Sequence, residues 1–219
     1  MVPDLTRCFS RGDLEGYEQN HKKYLEILAL ILCIFLPVLI GGADDISELF
    51  FFRGEMLIES VYKIASLMRY YCFAFFSIGL YLFFGLSLLS QSKGKLYAVL
   101  GVAAQLIVMI INISFYKIGN EYTFPLSSAI GHLIASFFMF RYVKLSEKKK
   151  IITFLLKVLS IVILASLIIY FESIVCTGYN LYQNILVYII TLMIITFFVT
   201  FPLVGINVRK IIEKWKKRN

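Results

Sequence analysis

Charged side chains are scarce in this chain of 219 residues. Asp, Glu, Lys and Arg together make up 16% of the sequence, whereas hydrophobic residues make up 59%, and the mean hydropathy is +0.80. A soluble domain of this length needs a larger polar surface, so the composition excludes that class. The sequence therefore predicts an integral membrane protein.

Histidine and cysteine are also few, with two and four residues. They form no CxxC pair and no His-rich tract, which are typical of metal sites, so we predict no metal ion and no cofactor. Cys72 and Cys176 are both expected near the outer membrane face. They can form a disulfide only if their helices are neighbours.

Long apolar runs are what the sequence has in abundance. A helix that crosses about 30 Å of hydrocarbon needs about 20 apolar residues, because every backbone group must be bonded internally. Apolar residues also recur at helical spacing between the first two runs, which favours a helix lying in the membrane interface. We predict an all-α fold of six transmembrane helices and this additional amphipathic helix. The spans are 25–40, 70–89, 96–116, 122–140, 151–171 and 181–206, and the interfacial helix falls within 44–69.

Basic residues indicate the orientation of these spans. Most of the 22 Lys and Arg residues fall on one side if both termini are cytoplasmic, as the positive-inside rule expects. The predicted organisation is then a cytoplasmic segment 1–24, a membrane domain 25–206 and a basic cytoplasmic tail 207–219. The positive-inside pattern and the attraction of basic residues to anionic lipids account for the net charge of +8, so no nucleic-acid partner is needed. We predict membrane lipids as partners, no nucleic acid, and the plasma membrane as the location.

Two short polar connections stand out on the predicted outer side. One precedes the fourth span and reads KIGNEYTFPLSS over 117–128, and the other precedes the sixth span and reads ESIVCTGYNLYQN over 172–184. Because both face the same side, we expect their side chains to meet. His132 follows the first connection by about one helical turn, within the stretch FPLSSAIGH.

This layout resembles the type 2 phosphatidic acid phosphatase superfamily, whose members hydrolyse lipid phosphates with the motifs K-x6-R-P, P-S-G-H and S-R-x5-H-x3-D. The stretch SIVCTGYNLYQNILVY over 173–188 is similar to the last motif at Ser173, Val175, Gly178 and Leu186. Ile174 stands at the Arg position, Asn180 at the nucleophile and Asn184 at the Asp. The first connection aligns in two registers, one anchored on Phe124-Pro125 and the other on Gly131-His132.

The resemblance implies a degenerate member that binds a phospholipid or polyprenyl phosphate at the outer face. A carboxamide cannot replace the basic imidazole of the nucleophile, so hydrolysis would be weak or absent. If the chain is active, His132 is the expected catalytic residue. The expected substrate-binding residues are Lys117, Ser127, Ser128, Asn180 and Asn184.

Each of these residues also has a structural interpretation. Ser127 or Ser128 can cap the fourth span after Pro125, and His132 can bond to a carbonyl one turn back. The alternative function is a non-enzymatic membrane protein, such as a transporter subunit or a scaffold. A third interpretation starts from Glu48 in ELFFFRG, which is similar to the E-E-x-x-F-R-G motif of CPBP-type intramembrane proteases but lacks its second Glu and its later ligands.

Overall fold

Eight α-helices and one 3-10 turn make up the computed structural model, which describes residues 1–175, 181–197 and 202. The helices are α1 (Val2–Ser10), α2 (Leu14–Gly41), α3 (Ala43–Phe51), α4 (Ile58–Ser90), α5 (Gly94–Gly119), α6 (Thr123–Tyr142), α7 (Lys148–Val175) and α8 (Leu181–Ile195). The 3-10 turn Asn120–Tyr122 joins α5 to α6. The described residues contain no strand, so the predicted all-α class is confirmed.

Within the described residues, four candidate membrane spans are long and apolar enough to cross a bilayer, against the six predicted. They are Leu14–Gly41, Ile58–Ser90, Gly94–Tyr142 and Lys148–Val175, and α8 is a shorter apolar helix. The third candidate contains both α5 and α6. The predicted sixth span extends beyond the described residues, as does the tail 207–219.

The predicted interfacial helix differs from the structure in its extent. The helix α3 ends at Phe51, residues 52–57 are not helical, and α4 begins at Ile58. Gly54 has a φ of +61°, a left-handed conformation that a helix does not contain and that glycine adopts without a Cβ penalty. Residues 58–69, which were predicted to belong to the interfacial helix, therefore form the start of the second candidate span.

The chain divides into two compact units. The first contains Met1–Leu25 and Tyr62–Ser146, and the second contains Glu26–Val61 and the chain from Glu147 onward. Their boundaries cut through α2 and α4. Each unit therefore draws on helices from separate parts of the sequence.

In the first unit, polar side chains join the ends of α2, α4 and α6. The Gln91 side chain pairs with the backbone of Lys144, accepting from its N–H at 3.0 Å and donating to its carbonyl at 3.1 Å. Gln91 also donates to the hydroxyl of the buried Tyr17 at 3.1 Å. Glu18 accepts from the Ser146 backbone N–H and hydroxyl, each at 2.7 Å. These bonds satisfy backbone groups where α6 ends.

In the second unit, small residues allow α2 to approach α7 closely. A Cβ added to Gly41 would lie 2.7 Å from the backbone oxygen of Ser166, so no larger residue fits there. Ser166 and Ile169 are buried on the same face of α7. Close approach through small residues is a common way for helices to pack in a membrane.

Candidate functional site

The helices α5 and α6 form an antiparallel pair in the first unit, joined by small residues and by polar side chains. Gly131 of α6 packs against the backbone of Ala104 of α5. A Cβ added to Gly131 would lie only 2.9 Å from the Ala104 carbonyl oxygen. Further along, the Ser127 hydroxyl donates to Asn112 Oδ1 at 2.7 Å. Ser127, Gly131 and Ala135 are all buried at four-residue spacing on α6, so one small-residue stripe brings the two helices together.

His132 bonds through both of its ring nitrogens. Its Nδ1 lies 2.7 Å from the backbone oxygen of Ser128, one turn back, and its Nε2 lies 3.4 Å from Nε2 of Gln105 on α5. The ring is 8% exposed and meets Tyr81 of α4 edge to face at 5.1 Å between centroids. His132 therefore joins side chains of three helices.

These contacts fix the orientation of the Gln105 side chain. A carbonyl oxygen can only accept, so Nδ1 of His132 carries the hydrogen that bonds Ser128, which leaves Nε2 as an acceptor in this tautomer. Gln105 must then donate to His132 through its NH2 group. Its carbonyl oxygen and second N–H have no other bond in the described chain.

Two tyrosines and two glycines interlock α4 and α5 beside this histidine. A Cβ on Gly85 would lie 2.4 Å from the ring of Tyr97, and a Cβ on Gly101 would lie 2.8 Å from the hydroxyl of Tyr81. Each helix thus places a tyrosine over a glycine of the other. The two tyrosine rings lie 5.9 Å apart.

A groove of about 470 Å³ follows α5 past this interlock, and we call it the α5 groove. Its lining is Tyr81 of α4 together with Tyr97, Ala98, Gly101, Val102, Gln105, Leu106 and Met109 of α5. None of these residues is charged, and the polar groups are two phenols and one amide. The groove can offer hydrogen bonds and aromatic faces to a ligand, and its lining supplies no carboxylate, histidine or amine for acid–base chemistry.

A second polar cluster lies in the second unit. The Tyr188 hydroxyl donates to Asp45 of α3, and the Thr191 hydroxyl donates to Glu172 of α7 at 2.7 Å. Asn184 is 7% exposed, and its Oδ1 has no hydrogen-bond partner within the described ranges. Asn184, Tyr188 and Thr191 follow one face of α8 at helical spacing.

The predicted site residues are dispersed. Ser127, Ser128 and His132 lie near one another on α6, whereas Lys117 is exposed in the last turn of α5, where its charge suits the helix C-terminus. Asn184 lies in the second unit. Asn180 and Cys176 lie outside the described residues, so the structure does not test whether Cys72 and Cys176 pair.

The predicted capping role of the serines is wrong. The helix α6 begins at Thr123, two residues before Pro125, so Ser127 and Ser128 lie inside the helix. Proline is tolerated in the first turn because its missing N–H would be unbonded there anyway. Asn184 is likewise inside α8, which begins at Leu181. His132 makes the bond to the carbonyl one turn back that its structural interpretation expected.

The sequence prediction also missed Gln105, Tyr81, Tyr97 and Asp45. Gln105 gave a usable signal, because it is a polar residue near the centre of an apolar run. Tyr97 gave none, since it lies at the start of the predicted span 96–116 and tyrosine is common at the ends of membrane helices. Tyr81 lies in the middle of the predicted span 70–89, where one more aromatic residue among many apolar ones does not stand out. Asp45 was not among the predicted site residues.

Comparison with known proteins identifies a different family from the one that the motifs resemble. The family model described as lipid II flippase MurJ matches residues 1–199. No curated protein and no solved structure matches the chain. The phosphatase resemblance and the lipid phosphate phosphatase function are therefore wrong, and the protease interpretation loses its basis as well. The physical reason is that short polar turns between apolar helices are common to many membrane proteins.

Proposed function

The chain belongs to the MurJ family of lipid II flippases, and on that premise we propose that it acts in moving lipid II across the membrane. The observation that carries this proposal is the match over residues 1–199. It favours the non-enzymatic, transport-type alternative over hydrolysis. Lipid II then replaces the phospholipid or polyprenyl phosphate that the motif resemblance implied as partner.

The polar groups inside the first unit support a transport role. A flippase must let a polar head group pass through hydrocarbon, where unpaired polar groups are costly, so it has to present hydrogen-bonding groups within its spans. Gln105 lies near the middle of α5 and is exposed there. The 3.4 Å contact between Nε2 of His132 and Nε2 of Gln105 holds the Gln105 amide in place.

The same proposal includes six membrane crossings. With a rise of about 1.5 Å per residue, α5 and α6 are about 39 and 30 Å long, so each is long enough to cross alone. Their antiparallel pairing supports two crossings within the third candidate span. The distribution of basic residues supports cytoplasmic termini, and a flippase of this family would act in the plasma membrane.

A translocation assay tests this function. Purified protein is reconstituted into vesicles with fluorescent lipid II, and a membrane-impermeant quencher reports the fraction that remains in the inner leaflet. We expect lipid II to exchange between leaflets faster than in protein-free vesicles, while a fluorescent phosphatidylglycerol does not. Equal rates with and without protein, or equal acceleration of both lipids, would contradict the proposal. Phosphate released in the same samples would show that the protein hydrolyses the lipid, and this result would also contradict the proposal.

Topology is tested separately by labelling single cysteines in intact cells with an impermeant maleimide. Cysteine replaces Ser92 between α4 and α5, or Asn120 between α5 and α6, on a background without native cysteines. We expect labelling at 120 and none at 92. Labelling of both or of neither residue would show that α5 does not cross the membrane, and the reverse pattern would invert the orientation.

A further inference from the structure

The α5 groove runs from one end of a membrane helix to its middle. Its lining residues begin with Tyr97, three residues after the start of α5, and extend to Met109, just beyond the midpoint. Twelve residues at about 1.5 Å each give a path of about 18 Å, which is roughly half of the hydrocarbon thickness. A groove of this length connects one membrane surface with the bilayer centre.

The side-chain amide of Gln105 lies in the deep part of the groove, and most of its hydrogen-bonding capacity is unused among the described residues. One N–H of its amide is committed to His132, which leaves a carbonyl oxygen and an N–H exposed in the groove. An amide in hydrocarbon without hydrogen bonds is strongly disfavoured. Lipid tails cannot satisfy it, so this position calls for a ligand that both donates and accepts hydrogen bonds.

The remainder of the lining sets the chemical class of that ligand. Tyr81 and Tyr97 supply ring faces and hydroxyls, and Val102, Leu106 and Met109 supply apolar contacts. No charged side chain lines the groove, so a phosphate would lose its hydration there without gaining a counter-charge. The volume of about 470 Å³ falls within the range of small-ligand sites.

We propose that the α5 groove binds an uncharged, hydroxyl-bearing or amide-bearing part of a lipid head group halfway across the membrane. The proposal rests on the flippase function, because a head group reaches the bilayer centre only while it crosses. Gln105 receives a hydroxyl or amide proton of the ligand on its carbonyl oxygen. His132 is a positioning residue that holds the amide in this orientation.

Two pairs of variants test the groove. Val102→Trp fills it from a residue that is 62% exposed, and its matched control Val99→Trp adds the same side chain to α5 at a residue that is 65% exposed and does not line the groove. Gln105→Leu removes the amide at similar volume. Its control is Ile110→Gln, which adds an amide at an exposed residue of α5 that does not line the groove, while Gln105 is kept.

The first measurement is lipid retention by native mass spectrometry in a detergent without a sugar head group. The probes are lipid II, monoglucosyl diacylglycerol and diacylglycerol with the same acyl chains. We expect wild type, Val99→Trp and Ile110→Gln to retain both sugar-bearing lipids in preference to diacylglycerol. Gln105→Leu should lower that retention about tenfold, the loss expected for one or two hydrogen bonds. Val102→Trp should lower it at least as much, because the indole occupies the space that the head group needs. Unchanged retention in both variants would overturn the proposal.

The translocation assay on the same variants separates the groove from the proposed function. If wild type moves lipid II and Val102→Trp moves it equally fast, the groove proposal fails and the flippase function stands. If wild type does not move lipid II, yet retention of the glucolipid depends on Val102 and Gln105, the function fails and the binding site stands. A cooperative thermal unfolding transition shows that each variant is folded. If Val102→Trp does not fold, the result for Gln105→Leu alone tests the groove proposal.

Discussion

Replacing Gly131 by alanine adds a single methyl group at a close contact between α5 and α6. That Cβ would lie 2.9 Å from the Ala104 backbone oxygen and 2.6 Å from Cγ2 of Val108. The carbonyl belongs to Ala104, a fully buried residue inside α5, and valine is stiff at χ1 in a helix, so neither group can move aside easily. The two helices must separate to accept the methyl group.

The magnitude follows from two opposing effects. Alanine is favoured over glycine inside a helix by about 1 kcal/mol. Forcing an extra carbon into a packed interface costs about 1–3 kcal/mol. We therefore expect Gly131→Ala to lower the free energy of unfolding by about 1 kcal/mol, or about 2–4 °C in melting temperature for a chain of this size.

Gly94→Ala is the matched control on the same helix pair. Its Cβ would meet only Cδ2 of Leu89, at an ordinary 3.5 Å, so helix propensity acts alone and the protein should be unchanged or more stable by up to about 1 kcal/mol. The assay is thermal unfolding in detergent, followed by a dye that reacts with the buried thiols of Cys33 and Cys72. If Gly131→Ala melts at or above the temperature of Gly94→Ala, the described packing of α5 on α6 is wrong.

Three further changes test other contacts. Ser127→Ala leaves the half-buried Asn112 amide oxygen without its 2.7 Å partner and should cost about 1 kcal/mol in chemical unfolding, whereas Ser127→Thr should cost less. Asn184→Leu removes a buried amide oxygen that lacks a partner, so it should raise the melting temperature, and a lower one would show that Asn184 has a partner beyond the described residues. The Tyr24 hydroxyl lowers the pKa of Asp4, so its stabilising effect is present above the ordinary carboxyl pKa and is lost as the pH falls below it. The stability difference between wild type and Tyr24→Phe should accordingly shrink in acid, and a difference that grows in acid would contradict the contact.

The class of the fold could be predicted from the sequence, but the ends of its helices could not. Apolar runs reveal where hydrocarbon surrounds a helix, and they say little about polar extensions. The helix α2 begins at Leu14, eleven residues before its apolar window, because Tyr17 and His21 are buried against residues of α4. The helix α4 begins at Ile58 for a similar reason, since Val61 and Ala65 are fully buried in its first turns.

Predicting the site failed for a different reason. The predicted site residues were chosen among polar residues in and beside the connections between the spans, where a phosphate-cleaving site would need them. The position of Gln105 could be read from the sequence, but its exposure and its bond to His132 depend on the close approach of α5 and α6 at Gly131. No pattern in one helix reveals which residue of another helix it contacts, so a lone polar residue in an apolar run remained ambiguous.

The residues that suggested a phosphatase show why similarity without reactive groups is a weak guide to function. Ser173 lies inside α7 and donates to the Tyr170 carbonyl at 2.8 Å, a common contact for serine in an apolar helix. Leu186 is 57% exposed on α8, as expected for a side chain that faces lipid. Both residues suit any pair of membrane helices joined by a short turn, so their agreement carried little information. The Ile at 174 and the Asn at 184 carried more, because a phosphatase cannot lose charged groups at these positions, whereas a protein that guides an uncharged group through the membrane has no need of them.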